Sequence, residues 1–170
     1  MKINTIEELK TMLQADPTYD YVGRAGYYGV AAAHIKPEHK RILEVGPWRC
    51  PLVADADYLD MSEMTGLDIK YLHDATVLPW PIATQAYDLI VALQFLEHVD
   101  GKQQGVFQEM RRIARDVIIS LPFKWEGTDA VHDNIDMRII RKWTDKLEPS
   151  SIKFNTDHIG AVRIILSYKR

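Results

Sequence analysis

The chain has 170 residues, 46% of them hydrophobic and 26% charged, the balance of one soluble globular domain with room for a sizeable core. Lys and Arg number 21 against 24 Asp and Glu, a formal net charge of -3, so electrostatics gives no reason to expect nucleic acid or an anionic membrane as the main partner. The one cysteine, Cys50, excludes an intramolecular disulfide, and with no signal-like opening and no apolar run near the roughly 20 residues that span a bilayer, a reducing, cytoplasmic setting is expected.

In chain order, Thr5 and Glu8 have the spacing of a capping box, and Ile6, Leu9 and Leu13 then share one helical face. Arg24 to Ile35 reads as a second helix, weakened by its glycines and ended with help from Pro37. At Arg41 the pattern changes. RILEVG is a short apolar run closed by glycine, as in a strand buried on both faces of a parallel sheet. DYLDM (57–61) and DIKYLH (68–73) are weaker strand candidates, while YDLIVAL (87–93) and DVIISL (116–121) are stronger. Between these two, Val106, Phe107, Met110 and Ala114 form an apolar stripe at helical spacing. Asp136 is placed to cap a helix over DMRIIRKW, and the tail KFNT and AVRIILSY alternates like a closing antiparallel pair. Strands interleaved with helices predict a doubly wound α/β fold with a mainly parallel sheet and an antiparallel C-terminal pair, in three α/β/α layers.

In such sheets a ligand sits beyond the carboxyl ends of the strands, where strand order reverses. Glu44 would project toward that crevice and Gly46 would form the turn that lets backbone approach a ligand. An acidic residue ending the second strand can accept bonds from both ribose hydroxyls. Asp60 is favoured for this, with Asp68 in TGLDIK as the competitor. The chain lacks the G-x-G-x-x-G of a dinucleotide site, the HExxH and C-x-x-C spacings of zinc sites, a G-x-S-x-G elbow and a Walker A loop, so no metal is expected.

E-V-G-P (44–47), followed by HDATVLPWP (73–81) and YDLIVALQFLEHV (87–99), resembles the small class I S-adenosylmethionine-dependent methyltransferases, which carry an acidic-glycine turn, D-A-x-x-L-P and L-E-H-V in that order. The likeness spans residues 41 to 145. It departs from the family where Trp48, Arg49 and Cys50 stand in place of further turn glycines. The resemblance implies one Rossmann-like domain over 1–170, with a helical segment at 1–36 and a core at 41–170. It implies S-adenosylmethionine as cofactor and S-adenosylhomocysteine as product, with Glu44, Gly46, Pro47 and Asp60 at the cofactor. By the same likeness Asp74 binds the adenine amino group, Ala75 offers its N–H to the ring, Leu78 and Pro79 close the adenine pocket, and Leu93 and Gln94 lie beside the cofactor.

His98, beside Glu97, is a candidate general base, although in the family it resembles the pair often supports the helix after the fourth strand instead. The segment SLPFKWEGTDAVHDNIDMRIIRKWT (120–144) resembles one subgroup in which His132 acts at the acceptor and Asp133, Lys124, Trp125 and Arg138 shape its pocket. The bland alternative is that His132 and Asp136 organise a loop and a cap. Tyr21, Tyr27 and Tyr28 either cover the cofactor or pack in the core.

The expected activity is methyl transfer to a small-molecule or glycan acceptor. The rival is a non-catalytic, degenerate binding or regulatory module, motivated by the PWRC turn and a short first crossover. Nucleic-acid methylation is disfavoured by the acidic balance and by the missing N/D-P-P-Y/F motif. Oligomeric state has no signature in the sequence.

Overall fold

The computed structural model describes residues 1–13, 21–64, 66–126 and 134–170. In chain order these form α1 (Ile6–Leu13), α2 (Tyr21–Ala32), β1 (Ile42–Val45), β2 (Asp57–Asp60), β3 (Tyr71–Leu72), β4 (Tyr87–Leu93), a single 3₁₀ turn (Leu96–His98), α3 (Gln103–Ile113), β5 (Ala114–Pro122), α4 (Met137–Trp143), β6 (Ser151–Thr156) and β7 (Val162–Tyr168).

The seven strands form one sheet in the order β3-β2-β1-β4-β5-β7-β6. The first five run parallel, and β7 is antiparallel to both β5 and β6. This is the expected doubly wound, Rossmann-like arrangement, and strand order reverses between β1 and β4. Because side chains alternate across a strand, β1, β4, β5 and β7 each feed two cores. Leu43, Ile90, Ala92, Val117, Ile119, Ile164 and Leu166 pack against α3 and α4. Ile42, Leu89, Val91, Ile118 and Ile165 pack against α1 and α2 on the other face.

Local chemistry sets several boundaries. The Thr5 N–H donates to Glu8 Oε2 at 2.8 Å and the Glu8 N–H donates to Thr5 Oγ1 at 3.2 Å, the reciprocal cap that starts α1. Asp136 Oδ1 accepts the Ile139 N–H at 2.9 Å and starts α4.

Other boundaries differ from expectation. α2 runs Tyr21–Ala32 rather than Arg24 to Ile35, because tight i to i+3 bonds from His34 to Ala31 and from Ile35 to Ala32 close it before Pro37 is reached. The third strand shrinks to two residues, since it lies at the sheet edge and pairs with β2 alone. Ala114 leaves the helical stripe and opens β5 opposite Tyr87. No helix occupies residues 46–56 between β1 and β2. Instead the N-terminal residues brace this crossover: Ile3 bridges Val53, and Asn4 donates to the carbonyls of Leu52 and Pro51, both at 2.9 Å.

Candidate functional site

The carboxyl ends of β1 to β4 open onto a cavity of about 350 Å³ at the strand-order reversal, the size and place at which such folds take a small ligand. Its wall collects Gly46 after β1, Asp60 at the end of β2, Asp74 and Ala75 after β3, and Leu93 and Gln94 at the exit of β4. Six of the expected cofactor residues, from four separate segments, therefore meet in one place.

Gly46 is required twice over. Its φ is +62°, and a Cβ added there would lie 2.5 Å from Phe95 Cδ2, so the Phe95 ring fills the space a side chain would need. Its N–H donates to the Leu59 carbonyl at 2.9 Å, tying the turn to β2. Asp60 is nearly buried, and its Oδ1 accepts the Ser62 N–H at 3.2 Å, an Asx turn that fixes the carboxylate at the strand end. Asp68 instead lies with Ala54, Ala56, Asp57 and Tyr58 on a separate hollow, so the cavity receives Asp60. Asp74 Oδ1 accepts the Thr76 N–H at 2.8 Å, and that bond holds the carboxyl below its ordinary range. The buried Ala75 offers its carbonyl to Trp80 Nε1 at 2.9 Å, which anchors this loop to the core.

Several expectations are corrected. Glu44 does not face the cavity. It is 2% exposed, and its two oxygens accept the N–H groups of Leu52 and Val53 at 2.7 and 3.0 Å. Burial raises its pKa to about 7, opposed by those two bonds and by nearby Arg24. Its work is to close the loop after β1. Pro47 is buried and absent from the cavity wall, and so are Leu78 and Pro79; Leu78 lies against α3, where a Cβ on Gly105 would come within 2.8 Å of it.

Trp125 also lies elsewhere. Its indole N–H donates to the Val162 carbonyl at 2.6 Å, and its ring stacks on the Arg163 guanidinium at 4.7 Å. Lys124 lines the same outer hollow as Trp125, away from the cavity. Arg138 is exposed on α4, 3.8 Å from Asp136 and remote from the cavity wall. His132 and Asp133 fall outside the described residues, as does the side chain of Tyr21. Tyr27 and Tyr28 are buried and meet edge to face at 5.0 Å, a core role rather than a cover.

His98 stands at the rim of the cavity, where partial desolvation pulls its imidazole below the ordinary range. Glu97 turns away from the wall. Its burial pushes the carboxyl up to about 8, and its Oε2 has no hydrogen-bond partner among the described residues. Among the described residues no group of three His, Cys, Asp or Glu is placed to hold a metal, and no described helix is long and apolar enough to cross a membrane.

The wall also holds residues that the sequence did not mark as ligand contacts, among them Arg24, Trp48 and Phe95. Arg24, on α2, reaches the cavity and donates to the Tyr28 hydroxyl at 3.0 Å; Tyr28 in turn donates to the Cys50 carbonyl at 2.5 Å. Trp48 holds a left-handed backbone, φ 54°, and lines the wall while 43% exposed. Phe95 lies against Gly46. Arg24 had no local signal, because its placement depends on how α2 crosses the sheet.

No protein-family model matches the chain, and no curated protein matches it. Solved structures do. A SAM-dependent methyltransferase of Thermotoga maritima, described as a possible histamine N-methyltransferase, aligns with a TM-score of 0.63 over 98% of this chain and 100% of its own, at 15% identity. The [4+2]-cyclase SpnF aligns with a TM-score of 0.66 over 91% of this chain and 84% of its own, at 13% identity. An S-adenosylmethionine-dependent methyltransferase of Mesorhizobium loti gives 0.63 over 84% and 96%, at 12% identity. At these identities the likeness establishes the fold, which is that of class I methyltransferases.

Proposed function

We propose that the chain binds S-adenosylmethionine in the cavity at the ends of β1 to β4 and transfers its methyl group to a small-molecule or glycan acceptor. The observation that carries this reading is the convergence of Gly46, Asp60, Asp74, Ala75, Leu93 and Gln94 on one wall. These residues fit the cofactor's parts in sequence. Asp74 and the Ala75 N–H suit the adenine edge, and Asp60 suits the two ribose hydroxyls. The bare backbone at Gly46 suits the chain leading away from the ribose, and Arg24 suits the terminal carboxylate.

Bound S-adenosylmethionine supplies a methyl group already made electrophilic by its sulfonium, so alignment of the acceptor is the larger part of the protein's task. His98, on the cavity wall, is placed to accept the proton that an acceptor hydroxyl loses as it is methylated, through its unprotonated imidazole nitrogen. Gln94 is fixed for its place by bonds to Ser120: its N–H reaches the Ser120 carbonyl at 2.9 Å, and its side-chain amide reaches Oγ at 3.2 Å.

The second reading, a binding module without turnover, draws on Trp48, whose bulk stands where the family turn carries glycine. SpnF, a cyclase on the same fold, illustrates that the fold alone does not fix the chemistry. Calorimetric titration with S-adenosylmethionine and S-adenosylhomocysteine tests the first step. Binding in the micromolar range, weakened at least about tenfold by Asp60→Ala and by Asp74→Ala, is expected from loss of a charge-assisted bond pair. A folded wild type that binds neither ligand sinks the reading. Tight binding without product across an acceptor screen favours the second.

A further inference from the structure

We propose that Trp48 and Phe95 form an aromatic seat for the cationic sulfonium, so that the cavity distinguishes charged S-adenosylmethionine from its neutral thioether product. The inference rests on the cofactor reading above and assigns a role to the chain's main departure from the family pattern.

The order of groups along the wall sets the position. In that reading adenine would lie at Asp74 and ribose at Asp60, toward β3 and β2, and the carboxylate would lie at Arg24 on α2, all on the same cavity wall. The sulfonium stands between ribose and carboxylate in the molecule, so it would come to the turn after β1, beside the wall residues Gly46, Trp48 and Phe95. A positive centre there needs a negative partner. Glu44, the obvious one from sequence, is taken up by the Leu52 and Val53 N–H groups and lies off the cavity wall. The wall carboxylates, Asp60 and Asp74, stand at the nucleoside end.

Aromatic faces remain. The negative face of an indole attracts a cation, and tryptophan does so best among the aromatic side chains. The Trp48 ring already receives one cation, the Arg49 guanidinium at 5.7 Å. Its backbone is in the left-handed region, φ 54°, a cost for a bulky residue that glycine would avoid. Despite that cost, 43% of the residue is exposed rather than packed into the core. Such strain at a cavity wall is accounted for if the ring contacts the ligand. Phe95, pressed against Gly46, supplies the neighbouring surface.

The test is calorimetry on the full chain with S-adenosylmethionine and S-adenosylhomocysteine, comparing wild type, Trp48→Leu, Trp48→Phe and Trp48→Gly. Leu and Gly are expected to weaken S-adenosylmethionine roughly two- to fivefold while leaving S-adenosylhomocysteine unchanged, and Phe to retain most of the preference. Trp48→Gly also relieves the backbone strain, so its melting temperature should equal or exceed that of wild type. A stable protein that has lost discrimination separates ligand recognition from folding. Equal weakening of both ligands, or no change in either, overturns the inference while leaving the cofactor reading intact. Failure of the wild type to bind either ligand overturns both.

Discussion

Replacing Gly46 with alanine tests the turn on which the cavity depends. Two costs are expected. A non-glycine residue at φ +62° loses about 1–2 kcal/mol to the left-handed backbone alone. The new Cβ would also sit 2.5 Å from Phe95 Cδ2, inside any real contact distance, so the ring must move against its packed surroundings, at about 1–3 kcal/mol. Together they come to about 2–5 kcal/mol, which for a domain of this size lowers Tm by roughly 4–20 °C. Gly101→Ala is the control: its φ is +68° but nothing lies within 4 Å of the added atom, so only the backbone cost applies, roughly 2–8 °C. Thermal melts of the two variants should therefore differ, and adding Phe95→Leu to Gly46→Ala should close most of the gap. Equal melting temperatures for Gly46→Ala and Gly101→Ala would refute the steric argument.

Glu44→Gln leaves one of the Leu52 and Val53 N–H groups facing an amide N–H instead of an oxygen, and should cost about 1–3 kcal/mol in a urea titration; an unchanged midpoint would show that the loop does not depend on this clamp. For Glu97, burial raises the folded-state value from 4.5 to about 8, so its favourable contribution is complete below the unfolded value and is lost as pH rises toward the folded one. Glu97→Gln removes that dependence: relative to wild type the variant should gain stability as pH rises, by at most about 1.4 kcal/mol per pH unit, and a difference that stays flat between pH 5 and 9 would contradict it. Asp136→Ala should lose about 1 kcal/mol while Asp136→Asn keeps most of it, read by denaturation midpoints; equal losses would exclude the cap as the cause.

Much of the architecture was legible because its signals are local. The Val, Ile and Leu runs of β4 and β5 could only be strands buried on both faces, and the caps at Thr5 and Asp136 depend on residues three apart. The ordered motifs and the acid at the end of β2 likewise named Gly46, Asp60, Asp74, Ala75, Leu93 and Gln94, which the fold gathers on one cavity wall. What escaped depends on long-range placement. Glu44 has the sequence position of a ligand contact, but its partners at 52 and 53 come back beneath the strand only because the crossover lacks a helix. Trp125 looked like a substrate contact, yet Val162 and Arg163, from a strand far along the chain, hold it away from the cavity. Arg24 was invisible for the same reason: a helix face is readable from sequence, while the point it meets on the sheet is not.

The position of β7 bears on how the polypeptide reaches its native state during synthesis. β7 lies between β5 and β6, pairing Val117 with Tyr168 on one side and Ser151 with Ser167 on the other. On a growing chain, β5 emerges with an open edge whose centre is the apolar run Val117–Ile119, and β6, although made earlier than β7, has no strand to join until β7 arrives. An exposed edge of that composition is prone to intermolecular pairing. Expression yield should accordingly be governed by how long the nascent chain waits in this state, which makes translation speed between Pro122 and Val162, rather than the stability of the finished fold, the variable to adjust if the protein accumulates as aggregate.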